Sequence, residues 1–193
     1  VHKSYRLSSR LNKLVEDFRL INQLESGKVD FSFTETPVKI FLEESIKFYQ
    51  DLYEVKIKLN FKDDLETIPV DTHYFSRIIE NLLNNAIKYV GETVEVTITV
   101  YRQDKNNFGI LFADNGPGIP EDDLPHIFDK FKRAKTKHKI FGSGLGLFIC
   151  KIIAEIHEGS ISVYNASTGG AVFKIIAPLT NSGKKVVDNF VIE

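Results

Sequence analysis

Apolar and polar positions along this chain follow two periods, and the changes of period mark its elements. Leu7, Leu11, Leu14, Phe18 and Ile21 recur at the spacing of a heptad seam, with Ser8, Arg10, Lys13, Glu16 and Asp17 elsewhere, which predicts a helix over residues 4–26 stopped by Gly27. An amphipathic helix packed on its own domain fits the same spacing. Val29–Phe33 alternates as a short strand. Pro37 then opens a helix running to Tyr53, with Val38, Phe41, Leu42, Ile46 and Tyr49 on one side. Val55–Phe61 alternates strictly, Ile68–Val70 is a short extended piece, and Asp71 is a credible N-cap for a helix over 72–89. Val94–Tyr101 and Phe108–Ala113 read as a long hairpin around Asn106-Asn107.

Residues 114–145 carry most of the glycine and proline punctuation. A helix over 146–158, ended by Gly159, leads to two closing strands, Ile161–Tyr164 and Ala171–Ala177, around Thr168-Gly169-Gly170. The tail beyond Pro178 has no pattern at first. The predicted fold is α+β: a two-layer sandwich, its sheet mixed and mostly antiparallel, with helices on one face and one long helix in front. The domain reading is residues 1–27 as that helix, 28–180 as the main domain and 181–193 as a tail or linker.

Composition narrows the classes. The chain has 193 residues, 42% hydrophobic and 26% charged, enough for a core without disulfides. Its one cysteine, Cys150, sits on the apolar side of its helix and reads as an inert core thiol. A net charge of −1 argues against a nucleic-acid footprint over the whole domain. No apolar run reaches the ~18 residues of a membrane span, and no stretch reads as a signal peptide. The chain begins at Val1 and contains no methionine, so it reads as a piece of a longer protein.

Three stretches carry candidate chemistry. In Glu80–Tyr89 (ENLLNNAIKY), Asn81 and Asn85 stand one helical turn apart. They are either a solvated outer face or a wall whose amide oxygens suit Mg²⁺, a hard cation, with Lys88 a turn on to meet phosphate. Asp114–Ile119 (DNGPGI) is either an ordinary turn or a carboxylate acceptor for an exocyclic amine, with Gly116 and Gly118 letting a ligand approach the backbone. Gly142–Leu147 (GSGLGL) runs into a helix, whose free amides and positive dipole end favour phosphate; a hinge is the plainer reading. It is neither a P-loop nor a dinucleotide fingerprint, because no lysine follows and no strand leads in. Between the last two, Lys130–Lys139 places six lysines or arginines in ten residues, read as a flap over polyphosphate or as a solvated loop.

In their order, NLLNNAIKY, DNGPGI, IFDKF (Ile127–Phe131), GSGLGL and TGGAVFKIIAPL resemble the N, G1, F and G2 boxes and closing glycines of the catalytic and ATP-binding domain of bacterial sensor histidine kinases. These are GHKL ATPases with the Bergerat fold, and the resemblance covers residues 30–180. The leading helix is similar to the second helix of the family's dimerisation hairpin. The resemblance implies ATP and Mg²⁺ as cofactors. It implies that Asn85 holds the metal, that Asn81 lines the pocket near the phosphates, and that Lys88 and Tyr89 lie near phosphate and ribose. Asp114 would accept from the adenine 6-amino group, with Gly118 against the base and Gly116 and Ile119 in the same loop. Phe128 and Phe131 would anchor a lid. Arg133, or Lys130 or Lys137, would reach the β- and γ-phosphates, and Gly142, Ser143, Gly144, Leu145 and Gly146 would supply hinge and amides.

The implied activity is γ-phosphoryl transfer to a histidine, then relay to the aspartate of a response-regulator receiver domain. The full protein would dimerise through the helical hairpin, and this part would be cytoplasmic, without nucleic-acid or membrane contact, in a membrane-anchored sensor. Two departures matter. The family's acceptor histidine precedes an acidic residue, whereas His2 precedes Lys3. His73, His126, His138 and His157 fall within the ATP domain and read as surface or packing residues, so this piece is expected to be inactive alone. The hydrolysing GHKL enzymes carry a glutamate one turn before the metal asparagine, where this chain has Asn81, an amide that cannot act as a base.

Overall fold

The computed structural model describes residues 14–23, 29–90, 93–133, 142–180 and 183–186. The chain divides into two compact units, one formed by residues 1–32 with 184–193, the other by 33–183. In the first, helix α1 spans 14–23. It buries Asp17, Leu20 and Ile21 and leaves Leu14, Val15 and Phe18 exposed. Burial therefore follows the 17/20/21 face, and of the predicted seam only Ile21 belongs to it; Leu7 and Leu11 lie outside the described residues.

The larger unit is built on a five-stranded sheet. Its strands are β2 (Val55–Phe61), β4 (Val94–Arg102), β5 (Asn107–Asp114), β6 (Ser160–Asn165) and β7 (Ala171–Pro178), in the order β2-β4-β5-β7-β6. Only β2 and β4 run parallel. The other pairs are antiparallel, with Ile98 opposite Phe112, Ile110 opposite Ile175 and Phe112 opposite Phe173. These side chains are buried and give the sheet an apolar face. Strand β1 (Asp30–Pro37) crosses the division between the units and pairs with β3 (Thr67–Val70) through Thr34 to Pro37. A short strand β8 (Gly183–Val186) follows where the sequence showed no pattern.

Helices α2 (Val38–Leu52), α3 (Thr72–Tyr89) and α4 (Gly146–Ile156) complete the unit. α2 packs on β2, α3 on β4, α4 on β6 and β7, and α3 lies between the other two helices. α3 starts where Asp71 accepts a hydrogen bond from Tyr74 N–H at 3.2 Å, the N-cap its sequence predicts. Its buried residues Phe75, Ile78, Ile79, Leu82, Leu83 and Ala86 recur at helical spacing. A side chain such as Phe75, wholly buried, contributes about 1.5–3 kcal/mol. α4 is apolar on nearly all sides, Cys150 included.

Candidate active site

The C-terminal half of α3 forms one wall. Asn81 lies on the buried side of the helix, so the solvated-face reading does not hold for it. Its Nδ2 donates to the carbonyl of Gly146 at 3.2 Å, tying α3 to the first residue of α4. Two turns on, Lys88 Nζ lies beside Gly142, where a side chain would run into it. The same ammonium is 3.4 Å from Tyr89 Oη and 4.9 Å above that ring. Burial pushes the Tyr89 phenol above its ordinary value, and the Arg133 charge acts against the rise. Asn84, between Asn81 and Asn85, instead faces α2 and donates to Tyr49 Oη at 2.8 Å. Asn85 is half-buried, and its amide makes no hydrogen bond among the described residues.

The second wall is the loop at the end of β5. Asp114 Oδ1 accepts from Gly116 N–H at 2.8 Å and from Ala171 N–H at 3.2 Å. One carboxylate oxygen is thus fixed by two backbone amides, and Oδ2 makes no hydrogen bond among the described residues. Asn115 fastens the loop to β4: Oδ1 accepts from Glu95 N–H at 2.8 Å and Nδ2 donates to Thr93 carbonyl at 2.9 Å. Gly116 adjoins Val90, so this loop meets the end of α3. Gly118 has a φ of 76°, the left-handed region that glycine enters at no steric cost. Gly170, with φ 89°, passes so close to the Asp114 carbonyl that no side chain fits.

The third region runs from Ile127 into α4. The Phe128 ring packs edge-on to Phe173 with centroids 6.5 Å apart. Phe131 has a φ of 66° and donates its N–H to the Gly144 carbonyl at 3.1 Å. Phe131 is 53% exposed. Lys130 Nζ is 5.9 Å from both the Phe131 and Phe148 rings. Buried Asp123 faces Lys132 Nζ at 3.6 Å and ties this segment to itself. Ser143 Oγ accepts from Leu145 N–H at 3.2 Å, and Leu145 is wholly buried. No side chain caps the N-terminus of α4. Arg133 is exposed; Lys137 and the rest of 134–141 lie outside the described residues.

The sequence-derived residues therefore come together. Asn81 and Lys88 touch the glycine segment at two points, and the Asp114 loop meets the same helix at its end. The fit to a metal can be judged from the donor set. No cluster of three or more acidic, histidine or cysteine side chains able to cage a metal occurs among the described residues. A single amide oxygen such as that of half-buried Asn85 is a hard donor of the kind Mg²⁺ takes beside waters and phosphate oxygens. One residue at this site, Asn165, carried no signal in the sequence. Asn165 hydrogen-bonds the backbone of Ile119, a partner 46 positions away. His157 is wholly buried and sits beneath the start of α3, a packing histidine. His126 lies exposed against Asp129 Oδ2 at 3.1 Å. His2 and His138 lie outside the described residues.

A family model for the histidine kinase-, DNA gyrase B-, and HSP90-like ATPases matches residues 70–181. Sensor protein KdpD of Escherichia coli is 31% identical over 166 residues, 86% of this chain and 18% of that protein. Signal transduction histidine-protein kinase AfsQ2 of Streptomyces coelicolor is 35% identical over 172 residues, 88% of this chain and 31% of that protein. The chain thus spans less than a third of these relatives' lengths. Among solved structures, the catalytic domain of histidine kinase ThkA matches with a TM-score of 0.68 at 26% identity, covering 78% of this chain and 100% of that one. No described helix is long and apolar enough to cross a membrane.

Proposed function

We propose that this chain, which belongs to the histidine kinase-, DNA gyrase B-, and HSP90-like ATPase family, binds Mg-ATP in residues 33–183 and serves as the phosphoryl-donor unit of a sensor histidine kinase. The observation that carries this reading is the double contact of α3 with the glycine segment, Asn81 to Gly146 and Lys88 to Gly142. It forms a corner in which a triphosphate meets an ammonium, carboxamides and the N-terminus of α4 together.

In this reading Asp114 Oδ2 accepts from the adenine 6-amino group while Oδ1 stays on its two amides. Gly118 lies against the base. Lys88 neutralises phosphate charge, and Arg133 approaches from the lid side, near Tyr89. Asn85 would hold Mg²⁺ through its amide oxygen, and the bound ion would draw charge from the β- and γ-oxygens. In the transfer itself the bond from the γ-phosphorus to the β,γ-bridging oxygen breaks and a bond to an imidazole nitrogen forms. The site's share of that step is positioning and charge neutralisation. The acceptor is proposed to lie on a dimerisation helix elsewhere in the full protein, because His157, the one histidine here that precedes an acidic residue (Glu158), is wholly buried. The phosphoryl group would then pass to the aspartate of a response-regulator receiver domain. Asn81, bonded to a carbonyl and unable to act as a base, favours transfer over hydrolysis.

Calorimetric titration of Mg-ATP into the chain and into Asp114→Asn tests the reading. The variant presents an amide in place of one carboxylate oxygen, and its affinity is expected to fall at least about tenfold, roughly 1.4 kcal/mol. Labelled γ-phosphate is expected to move to a separately made acceptor-helix domain only when this chain is present. Equal affinities for the two proteins would remove the adenine assignment, and binding without transfer would remove the kinase reading.

A further inference from the structure

We infer that Asn165 is the positioning residue for the purine end of this site, an inference that rests on the nucleotide reading above. Asn165 is exposed and closes β6, the edge strand of the sheet. Its carboxamide does not point into solvent. Oδ1 accepts from Ile119 N–H at 2.8 Å and Nδ2 donates to Ile119 carbonyl at 2.7 Å. The two bonds run in opposite senses, so the amide acts as one rung of a strand pairing with the Asp114–Ile119 loop. Among the side chains of its size, only an amide offers both a donor and an acceptor in that plane. Gly118 presses against the same amide: a Cβ there would stand 2.7 Å from Asn165 Oδ1.

The register links this rung to the carboxylate. Asn165 lies opposite Ala171 on β7. The Ala171 N–H is one of the two that hold Asp114 Oδ1. Both ends of the loop, Asp114 and Ile119, are therefore referred to the same pair of residues at the end of β6 and β7. Asn115 already anchors the first half of the loop on β4, so it is the Ile119 end, beyond Gly116 and Gly118, that the Asn165 clamp fixes. The phosphate end of the site is assigned to Asn81, Lys88 and residues 142–146, none of which shares a hydrogen bond with Asn165 among the described residues. Loss of the clamp should thus loosen the grip on the base and leave the grip on the phosphates unchanged.

Asn165→Ala and Asn165→Ser in the full chain test this. Serine keeps one of the two hydrogen bonds. For Asn165→Ala, Mg-ATP affinity is expected to fall roughly three- to tenfold and the preference for ATP over GTP to narrow, with Asn165→Ser between it and the parent. Affinity for inorganic triphosphate is expected to stay at the parent's value. Exchange of the Ile119 amide in the nucleotide-free chain is expected to speed up. Parent-like Ile119 exchange, or a parent-like ATP:GTP ratio in Asn165→Ala, overturns the role of Asn165. An equal loss for inorganic triphosphate overturns its confinement to the base. A parent chain that fails to bind Mg-ATP overturns instead the reading of the site.

Discussion

His157 shows how a single side chain can matter at a distance from the chemistry. Its Nδ1–H donates to Ile153 carbonyl at 2.7 Å and its Nε2 accepts from Asp71 N–H at 3.1 Å, which fixes the neutral ring in one tautomer. Phe33 and Phe75 lie edge-on to it at 4.9 Å and 5.1 Å. Asp71 is the N-cap of α3, so the histidine holds the residue that starts the helix carrying Asn81 and Asn85. Replacing His157 with Phe keeps the ring but leaves the Asp71 N–H buried without its acceptor. Urea denaturation is expected to show a loss of about 1–3 kcal/mol, with Mg-ATP affinity of the folded variant close to the parent's. A variant as stable as the parent would mean that neither hydrogen bond contributes. From the sequence, His157 reads as a surface or packing residue without an assigned partner. Its two partners come from a helix turn and from a cap 86 positions away, which no local pattern encodes.

At the scale of elements, the strongly periodic segments were the legible ones. The predicted bounds 72–89 for α3 are those observed, because an N-cap, an apolar stripe and a final basic residue agree there. Strand β1 runs to Pro37, past the Phe33 where alternation stopped, because Thr34–Pro37 gain a partner in β3 that their own pattern does not announce. β8 went unread for the same reason, as a strand of four residues in a stretch without pattern. The join between α2 and α3 was equally silent: Tyr49 and Asn84 each looked ordinary on its own helix. Burial and the Glu80 carboxylate raise the Tyr49 phenol above its ordinary value, and the hydrogen bond from Asn84 opposes them. The folded state therefore favours the neutral phenol, whereas an unfolded tyrosine ionises near pH 10. Its contribution is whole below about pH 10 and is lost as pH rises towards the higher folded value. Tyr49→Phe is expected to cost about 0.5–1.5 kcal/mol at pH 7 and to flatten the fall of unfolding free energy above pH 10. Parallel alkaline slopes for variant and parent would contradict this assignment.

At the scale of the molecule, the three sequence stretches acquire meaning only through the topology. Residues 81–88, 114–119 and 142–146 are brought to one place because β5 leads into a loop bounded by the end of α3, while α4 begins against the middle of α3. Their order along the chain was legible as a family resemblance. Their contacts were not, since each crosses tens of residues and depends on which strands are neighbours. This arrangement makes a prediction about where binding energy is felt. A ligand that binds only the folded state stabilises it by about 2.7 kcal/mol at a concentration one hundred times its dissociation constant. That stabilisation should enter through the residues that line the site. In hydrogen exchange followed by mass spectrometry, saturating Mg-ATP is expected to slow exchange in peptides covering 81–90, 114–119 and 142–149. Residues 14–23, in the other compact unit, are expected to exchange as they do without nucleotide. Chelating the metal should weaken the effect most over 81–90, where Asn85 lies, and least over 114–119, where the base is proposed to lie. Slowing spread evenly over α1 and the larger unit, or confined to one of the three stretches, would show that they do not share one nucleotide.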